Sequence, residues 1–226
     1  MKTMLSLFIL FLLFFNTACK KEVVTPPADL GYAYFPTDVG HWVLYEVDSL
    51  YYQAGVRVEK RFQLKEVVQD SYDDLEGRAS ISLVRYRRNF DPNTPYDQLS
   101  WDAGYAVSAT RTAQNLQYTE DNQTYLRLIF PPQNSKKWNG NAFNAQAAWT
   151  YTYSDVNKAS SLAAGFDSTI TVNQSGLNDP IINTQVGKEV YAKHVGLVYK
   201  TQTILNVQGQ DTAGTSYTLI AKDFGN

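Results

Sequence analysis

Few residues of this chain have the types and spacing that chemistry needs. His41 and His194 are its two histidines, and they stand far apart. A zinc or haem site needs several soft ligands, and the one cysteine, Cys19, lies near the N-terminus, so no metal or other cofactor is expected. Each histidine is expected to be packed or solvated. No G-x-S-x-G elbow seats a nucleophilic serine, and no strand–turn–helix pattern would hold one. Asp70, Asp73, Asp74 and Glu76 crowd one stretch, but their spacing is not that of an EF-hand loop. A solvated turn is expected there. Glycoside hydrolysis needs two carboxyl groups roughly 5–10 Å apart across a cleft, and nothing local pairs any two of the 22 acids in that way. No catalytic residue is assigned.

Two stretches are better suited to binding. Arg85, Arg87 and Arg88 make a basic strand end. Arg85 and Arg87 share one face and Arg88 the other. They are expected to pair with acids or water, with an anionic ligand as the alternative. In KKWNGNAFN, residues 136–144, Trp138 sits among polar loop residues beside an Asn-Gly turn signal. Trp138 stacking on a sugar ring, with Asn139, Asn141 and Asn144 donating and accepting hydrogen bonds, is the candidate ligand contact. The alternative is a tryptophan folded back as a lid on the core.

The N-terminus gives an address. Lys2 precedes a short apolar run, Leu5 to Phe15, which ends at Thr17-Ala18-Cys19. A membrane-spanning helix needs about 20 apolar residues, so the run reads as a secretory signal. Thr17-Ala18-Cys19 resembles the lipobox of bacterial lipoproteins, although Asn16 stands where leucine is usual. The resemblance implies that residues 1–18 are a removed signal peptide and that Cys19 carries the lipid. Residues 19–30 then form a lipidated, flexible tether, with two prolines and little to pack. A tether of this length spans about 40 Å at most. CKKE is similar to the start of Bacteroidetes-type lipoproteins, which implies an outer-membrane lipoprotein on the periplasmic face or the cell surface. The chain has 20 basic and 22 acidic residues, a net charge of −2, so nucleic acid is not expected as a partner.

What would position any site is a set of strands. In residues 56–69, Val56, Val58, Phe62, Leu64 and Val68 share one face, with Lys60 and Glu66 as exceptions to the apolar pattern. The preceding HWVLYEVDSLYY places Val43, Tyr45, Val47 and Tyr51 on one face. Gln53-Ala54-Gly55 between these two runs reads as a hairpin loop. Residues 70–77 read as a second turn. LQYTE and QTYLRLIF flank Asp121-Asn122, a second hairpin, and Pro131-Pro132 should stop its second strand. Trp149, Tyr151 and Tyr153 share a face, as do Phe166, Ile170 and Val172. Residues 188–208 are long enough for two strands, with Gly196 at the bend. No convincing amphipathic helix appears. The expectation is an all-β fold: one antiparallel domain, residues 31–226, of roughly 9–11 strands, either a curved half-barrel or a sandwich.

YFPTDVGHWVLYEV near the start and HVGLVYK near the end resemble framework motifs of uncharacterised Bacteroidetes-type envelope lipoproteins. A looser resemblance is to periplasmic half-barrels that carry lipids or lipoproteins. Neither implies catalytic residues. Asp48-Ser49-Leu50, Asp167-Ser168-Thr169 and Asp211-Thr212-Ala213 also resemble the O-glycosylation triplets of such cells, at Ser49, Ser168 and Thr212. The reading is a lipid-anchored envelope protein with a non-enzymatic binding or scaffold role. Its partners would be the membrane, through the lipid, and an envelope protein, glycan or lipid. The alternatives are a carrier holding a lipid or acyl chain in a concave sheet, and a glycan-directed hydrolase. A deep cavity would favour the carrier, facing carboxylates the hydrolase, and a solid core the scaffold.

Overall fold

The computed structural model describes residues 29–53, 55–179, 183–208 and 211–226. The signal segment, Cys19 and most of the tether lie outside them. So does Ala54, in the middle of the first hairpin loop.

The strands are β1 (Trp42–Gln53), β2 (Val56–Asp73), β3 (Ala79–Asn89), β4 (Tyr105–Arg111), β5 (Asn115–Glu120) and β6 (Gln123–Ile129). They continue as β7 (Lys137–Asn139), β8 (Thr150–Lys158), β9 (Thr169–Asp179), β10 (Asn183–Ala192), β11 (Gly196–Gln208) and β12 (Asp211–Gly225). All twelve belong to one antiparallel sheet, in the order β6-β5-β4-β3-β2-β1-β12-β11-β10-β9-β8-β7. The fold is therefore all-β, as expected. One strand more than expected is present, and the three-residue β7 is the shortest.

Every hydrogen-bonded pair of strands is consecutive in sequence except one. β1 pairs with β12, so the two ends of the barrel chain meet in mid-sheet: Val47 lies opposite Leu219 and Ser49 opposite Tyr217. The two edges, β6 and β7, are themselves consecutive in sequence. They face each other across a seam, and the sheet is nearly closed into a barrel. A sandwich is thereby excluded, because one curling sheet supplies both walls. Closure also removes the exposed edges that would otherwise recruit foreign strands.

The seam is held by a few bonds in place of a ladder. Leu126 N–H donates to Gly140 O at 2.8 Å. The Trp138 indole N–H donates to Leu126 O at 2.8 Å, and Asn144 Nδ2 donates to Thr124 O at 2.9 Å. The Tyr153 hydroxyl accepts from Ile129 N–H and donates to Ile129 O, both at 2.9 Å. Gly140 has to be glycine, since a Cβ there would lie 2.3 Å from the Tyr151 ring.

Local sequence explains the hairpins. Asp121 and Asn122 both take positive φ, 50° and 59°, the conformation a two-residue hairpin needs and that Asp and Asn tolerate. Gly55 takes φ 75° in the β1–β2 loop. The turn expected over residues 70–77 is shorter than that, because β2 continues to Asp73. Asp74 builds the turn: its carboxylate accepts the N–H groups of Glu76 and Arg78, each at 2.9 Å. It also pairs with Arg78 Nε at 2.7 Å. These bonds, the one from Arg78 N–H first, hold the Asp74 pKa below its usual value.

The described N-terminal residues form a plug. Tyr32–Tyr34 make one 3-10 turn, and Tyr34 and Phe35 are buried. They pack in a cluster with Ile81, Leu83, Val107, Leu116, Leu128, Ile170 and Val172. Trp149, Tyr151 and Tyr153, placed on one face by their alternation, belong to the same cluster. One end of the barrel is thus a solid hydrophobic core. A second cluster joins Val43, Tyr45, Val47, Leu64 and Leu219 to Val190, Val195 and Val198.

Candidate functional site

Beyond the plug the lumen opens into a cavity of about 320 Å³. Its lining mixes apolar residues (Val47, Phe62, Leu64, Leu197, Leu219) with Glu66, Arg85, Arg87, Glu120, Arg127 and Lys200. Tyr118 and Tyr191 are buried at its floor, whereas Tyr105 at its rim is 46% exposed. Ser49, Phe62, Arg87 and Tyr217 are half-buried between them.

Strand register explains why charges point inward. Glu66 lies opposite Val43 on β1 and Arg85 on β3, and Val43 is a core residue. Glu66 is therefore on the lumen side, where the apolar alternation of β2 is broken. Lys60 lies opposite Ser49 on the same face. Arg85 lies opposite Tyr105 and Lys200 opposite both Leu219 and Glu189.

These groups form two ionic clusters. In the first, Arg85 pairs with Glu66 at 2.6 Å and with Glu120. Tyr118 hydroxyl donates to Glu66 at 3.0 Å. In the second, Glu189 is fully buried and is bound by Arg127, by Lys200 at 3.0 Å and by the Tyr191 hydroxyl at 2.6 Å. The Tyr118 ring links the clusters, with the Arg85 and Arg127 guanidinium carbons 5.4 and 5.0 Å from its centroid.

Burial alone would push the Glu189 carboxyl up, but Arg127, Lys200 and the Tyr191 hydroxyl more than offset it and hold the pKa at about 2. Glu189 is thus ionised at neutral pH and has no proton to give. Burial, and then the charge of Glu66, pushes Tyr118 well above its usual value. Burial and Glu189 do the same to Tyr191. These phenols stay protonated and act as hydrogen-bond donors.

Arg87 differs from the other lumen cations. Its Nε donates to Asn89 Oδ1 at 2.9 Å, and its guanidinium carbon lies 3.7 Å from the Phe62 ring centroid. No carboxylate pairs with it among the described residues.

The sequence-derived candidates fall elsewhere. Trp138 lies in β7, half-buried, against the rings of Tyr151 and Tyr153 at 5.7 and 4.5 Å. With its N–H on Leu126 O, it has the geometry of the lid alternative. Asn139 Oδ1 accepts the N–H groups of Asn141 and Trp149 at 3.0 Å each. Asn141 is buried and donates to Ala147 O at 2.6 Å, and Asn144 serves the seam. The loop's amides therefore hold its own backbone and close the barrel.

His41 is buried, with Nδ1 2.7 Å from Asn226 Oδ1 and Nε2 2.9 Å from Val195 O. His194 is exposed with φ 65° in the β10–β11 turn. Though distant in sequence, both line one pocket of about 320 Å³ at the plug end, with Asp38 and Arg111. Arg88 points outward and donates to Gln63 Oε1 at 2.6 and 2.9 Å. Of the candidate glycan acceptors, Ser49 lines the lumen, Ser168 is within 3.4 Å of Asn157 Oδ1, and Thr212 is in β12.

Sequence reasoning noticed Glu66 and Lys60 only as exceptions, and it passed over Arg127, Glu189 and Lys200. The signal was present in phase. Glu189 stands two residues before buried Tyr191 and Lys200 two after buried Val198, each at an inward position of its strand.

No family model and no curated protein matches the chain. Two crystal structures are similar to it. One is a Bacteroides fragilis protein assigned as exported, with a YmcC-like fold: 12% identity, TM-score 0.40, covering 85% of this chain and 98% of that one. The other is a Parabacteroides distasonis protein assigned as a lipoprotein: 11% identity, TM-score 0.41, with the same coverages.

Proposed function

We propose that this is a lipid-anchored protein of the cell envelope that works as a non-enzymatic binding module through its barrel lumen. The observation that carries the binding role is the cavity of about 320 Å³. It falls at the small end of the range of ligand pockets, about 300–1,000 Å³. Its apolar wall with a few fixed polar groups is the usual make-up of a ligand site. A scaffold would need only the solid core of the plug end.

Two arguments support the anchor. Thr17-Ala18-Cys19 gives a lipid attachment point followed by a tether. The barrel itself is dressed for water: the β1 and β2 faces opposite the lumen carry Glu46, Asp48, Arg57, Glu59, Arg61 and Lys65. A membrane barrel needs an apolar outward band instead. Holding at the membrane, on the outer membrane in this reading, then falls to the lipid. Cys19→Ser should release the protein from membrane fractions, and persistence there after a high-salt wash would refute the anchor.

The hydrolase reading gains no support from the carboxylates. Glu189 stays ionised, and Glu66 and Glu120 both grip Arg85, which leaves neither placed as a free acid–base pair. Binding is tested by native mass spectrometry of protein extracted from producing cells. Wild type should carry a non-covalent small molecule, and Ser49→Phe, which fills the lumen from its half-buried wall, should lose it. Identical spectra for the two would contradict the lumen role.

A further inference from the structure

We propose that the lumen takes an organic monoanion with an apolar body, an acyl carboxylate being its simplest form, and that Arg87 binds the anionic group. This rests on the lumen-binding reading and names the ligand class for that site.

The charges of the cavity wall leave one cation over. Arg85, Arg127 and Lys200 are matched by Glu66, Glu120 and Glu189 through the pairs described. Arg87 is the fourth cation of the cavity wall and has no carboxylate partner among the described residues. Its Nε is fixed on Asn89, and among the described residues no group accepts from its two terminal nitrogens. Phe62 against the guanidinium holds it in place. A planar fork with two unused donors matches a carboxylate, which accepts two parallel hydrogen bonds. On the same cavity wall, Arg127 Nε is a further buried donor without a partner among the described residues.

The rest of the wall demands the apolar body. Val47, Phe62, Leu64, Leu197 and Leu219 line the same cavity. A small inorganic anion would leave that surface in contact with water, where burial contributes about 25 cal/mol per Å². A neutral apolar ligand would cover Arg87 and leave its charge unmatched, which is costly in a partly dry site. A ligand bearing two or more negative charges exceeds the single unmatched cation of the cavity wall and would meet Glu66 and Glu120. An amphipathic monoanion satisfies both walls.

Octanoate and octanol, equal in chain length and different in charge, separate these terms. Each is titrated into the purified protein, with binding read from backbone amide NMR shifts. Wild type should bind octanoate about tenfold more tightly than octanol, as expected for one added charged hydrogen-bonded contact. Arg87→Met keeps an apolar stem over Phe62. It should lose that advantage while leaving octanol binding unchanged. Arg61→Met, on the outer wall, should change neither. Equal affinity of wild type for the two probes, or no binding of octanoate, overturns the assignment without needing any variant. The lumen reading itself then stands or falls on the Ser49→Phe comparison. Unchanged octanoate affinity in Arg87→Met would also overturn the assignment to Arg87.

Discussion

Strand β3 passes through both halves of the barrel, and its inward residues change character along the way. Ile81 and Leu83 are 3% exposed and belong to the packed core, whereas Arg85 and Arg87, next on the same face, line the cavity. Neighbouring strands switch at the same level. Val68 gives way to Glu66 on β2, and Leu116 to Tyr118 and then Glu120 on β5. One backbone pattern therefore builds two interiors. The plug end is closed mainly by apolar and aromatic side chains, which carry no charge to be matched. The other half is lined by charges, and each has to be matched or solvated. A solid end supplies stability, while a polar, partly open lumen supplies a site at a cost in stability.

The two halves should answer differently to mutation. The largest loss is expected in the charged half: Arg127→Leu leaves buried Glu189 short of a cation. Breaking a buried pair costs about 3–5 kcal/mol, readable as a drop in denaturation midpoint at constant m-value. A loss below about 1 kcal/mol would mean that Lys200 alone suffices for Glu189.

Acid should also act on the charged half first. The Glu189 pKa is lowered in the fold, from 4.5 to about 2. Its contribution is therefore fully present above about pH 4.5 and disappears as pH falls towards 2, and it amounts to roughly 3 kcal/mol. Melts of wild type and Glu189→Gln from pH 6 to 2 isolate it: the variant should lack that part of the acid loss. Parallel pH curves would contradict the assigned pairing. Hydrogen exchange at low pH should rise in β10 and β11 before β5 and β6.

A comparable effect belongs to the seam. Trp138→Ala removes a half-buried indole and its bond to Leu126, and should cost about 3 kcal/mol, the low end for a packed tryptophan. An unchanged melting temperature would instead favour Trp138 as a ligand contact. At the bottom of the scale is the outer wall. Arg61 pairs with Asp48 at 2.8 Å, but both side chains are largely exposed, so Arg61→Ala should leave the melt unchanged within error.

The packed half was the more legible in sequence. Alternation placed Val43, Tyr45 and Val47, then Trp149, Tyr151 and Tyr153, on their buried faces. Gly55 and Asp121-Asn122 marked hairpins where they occur. These are local signals. The mid-sheet β1–β12 pairing was not legible, because it joins residues more than 160 positions apart, and no local pattern encodes that. Trp138 stood out as a ligand contact because its asparagine neighbours suggested a wet loop. Their amides are turned onto backbone groups instead, which leaves the indole free to pack. Of the lumen charges, Arg85 and Arg87 stood out as a basic strand end, and the others were visible only as breaks in alternation. Glu66 and Lys60 stood out in a long strand, whereas Arg127, Glu189 and Lys200 each interrupt a strand once and pass for exposed residues.

The central claim, that the charged half of the lumen is the binding site, is tested most directly by mapping the octanoate titration onto the chain. The account predicts that the largest amide shifts fall on cavity-wall positions such as Ser49, Leu64, Arg87, Lys200 and Leu219, with the plug end quiet. Shifts concentrated on residues 138–144, or spread over the outward faces of β1 and β2, would contradict it.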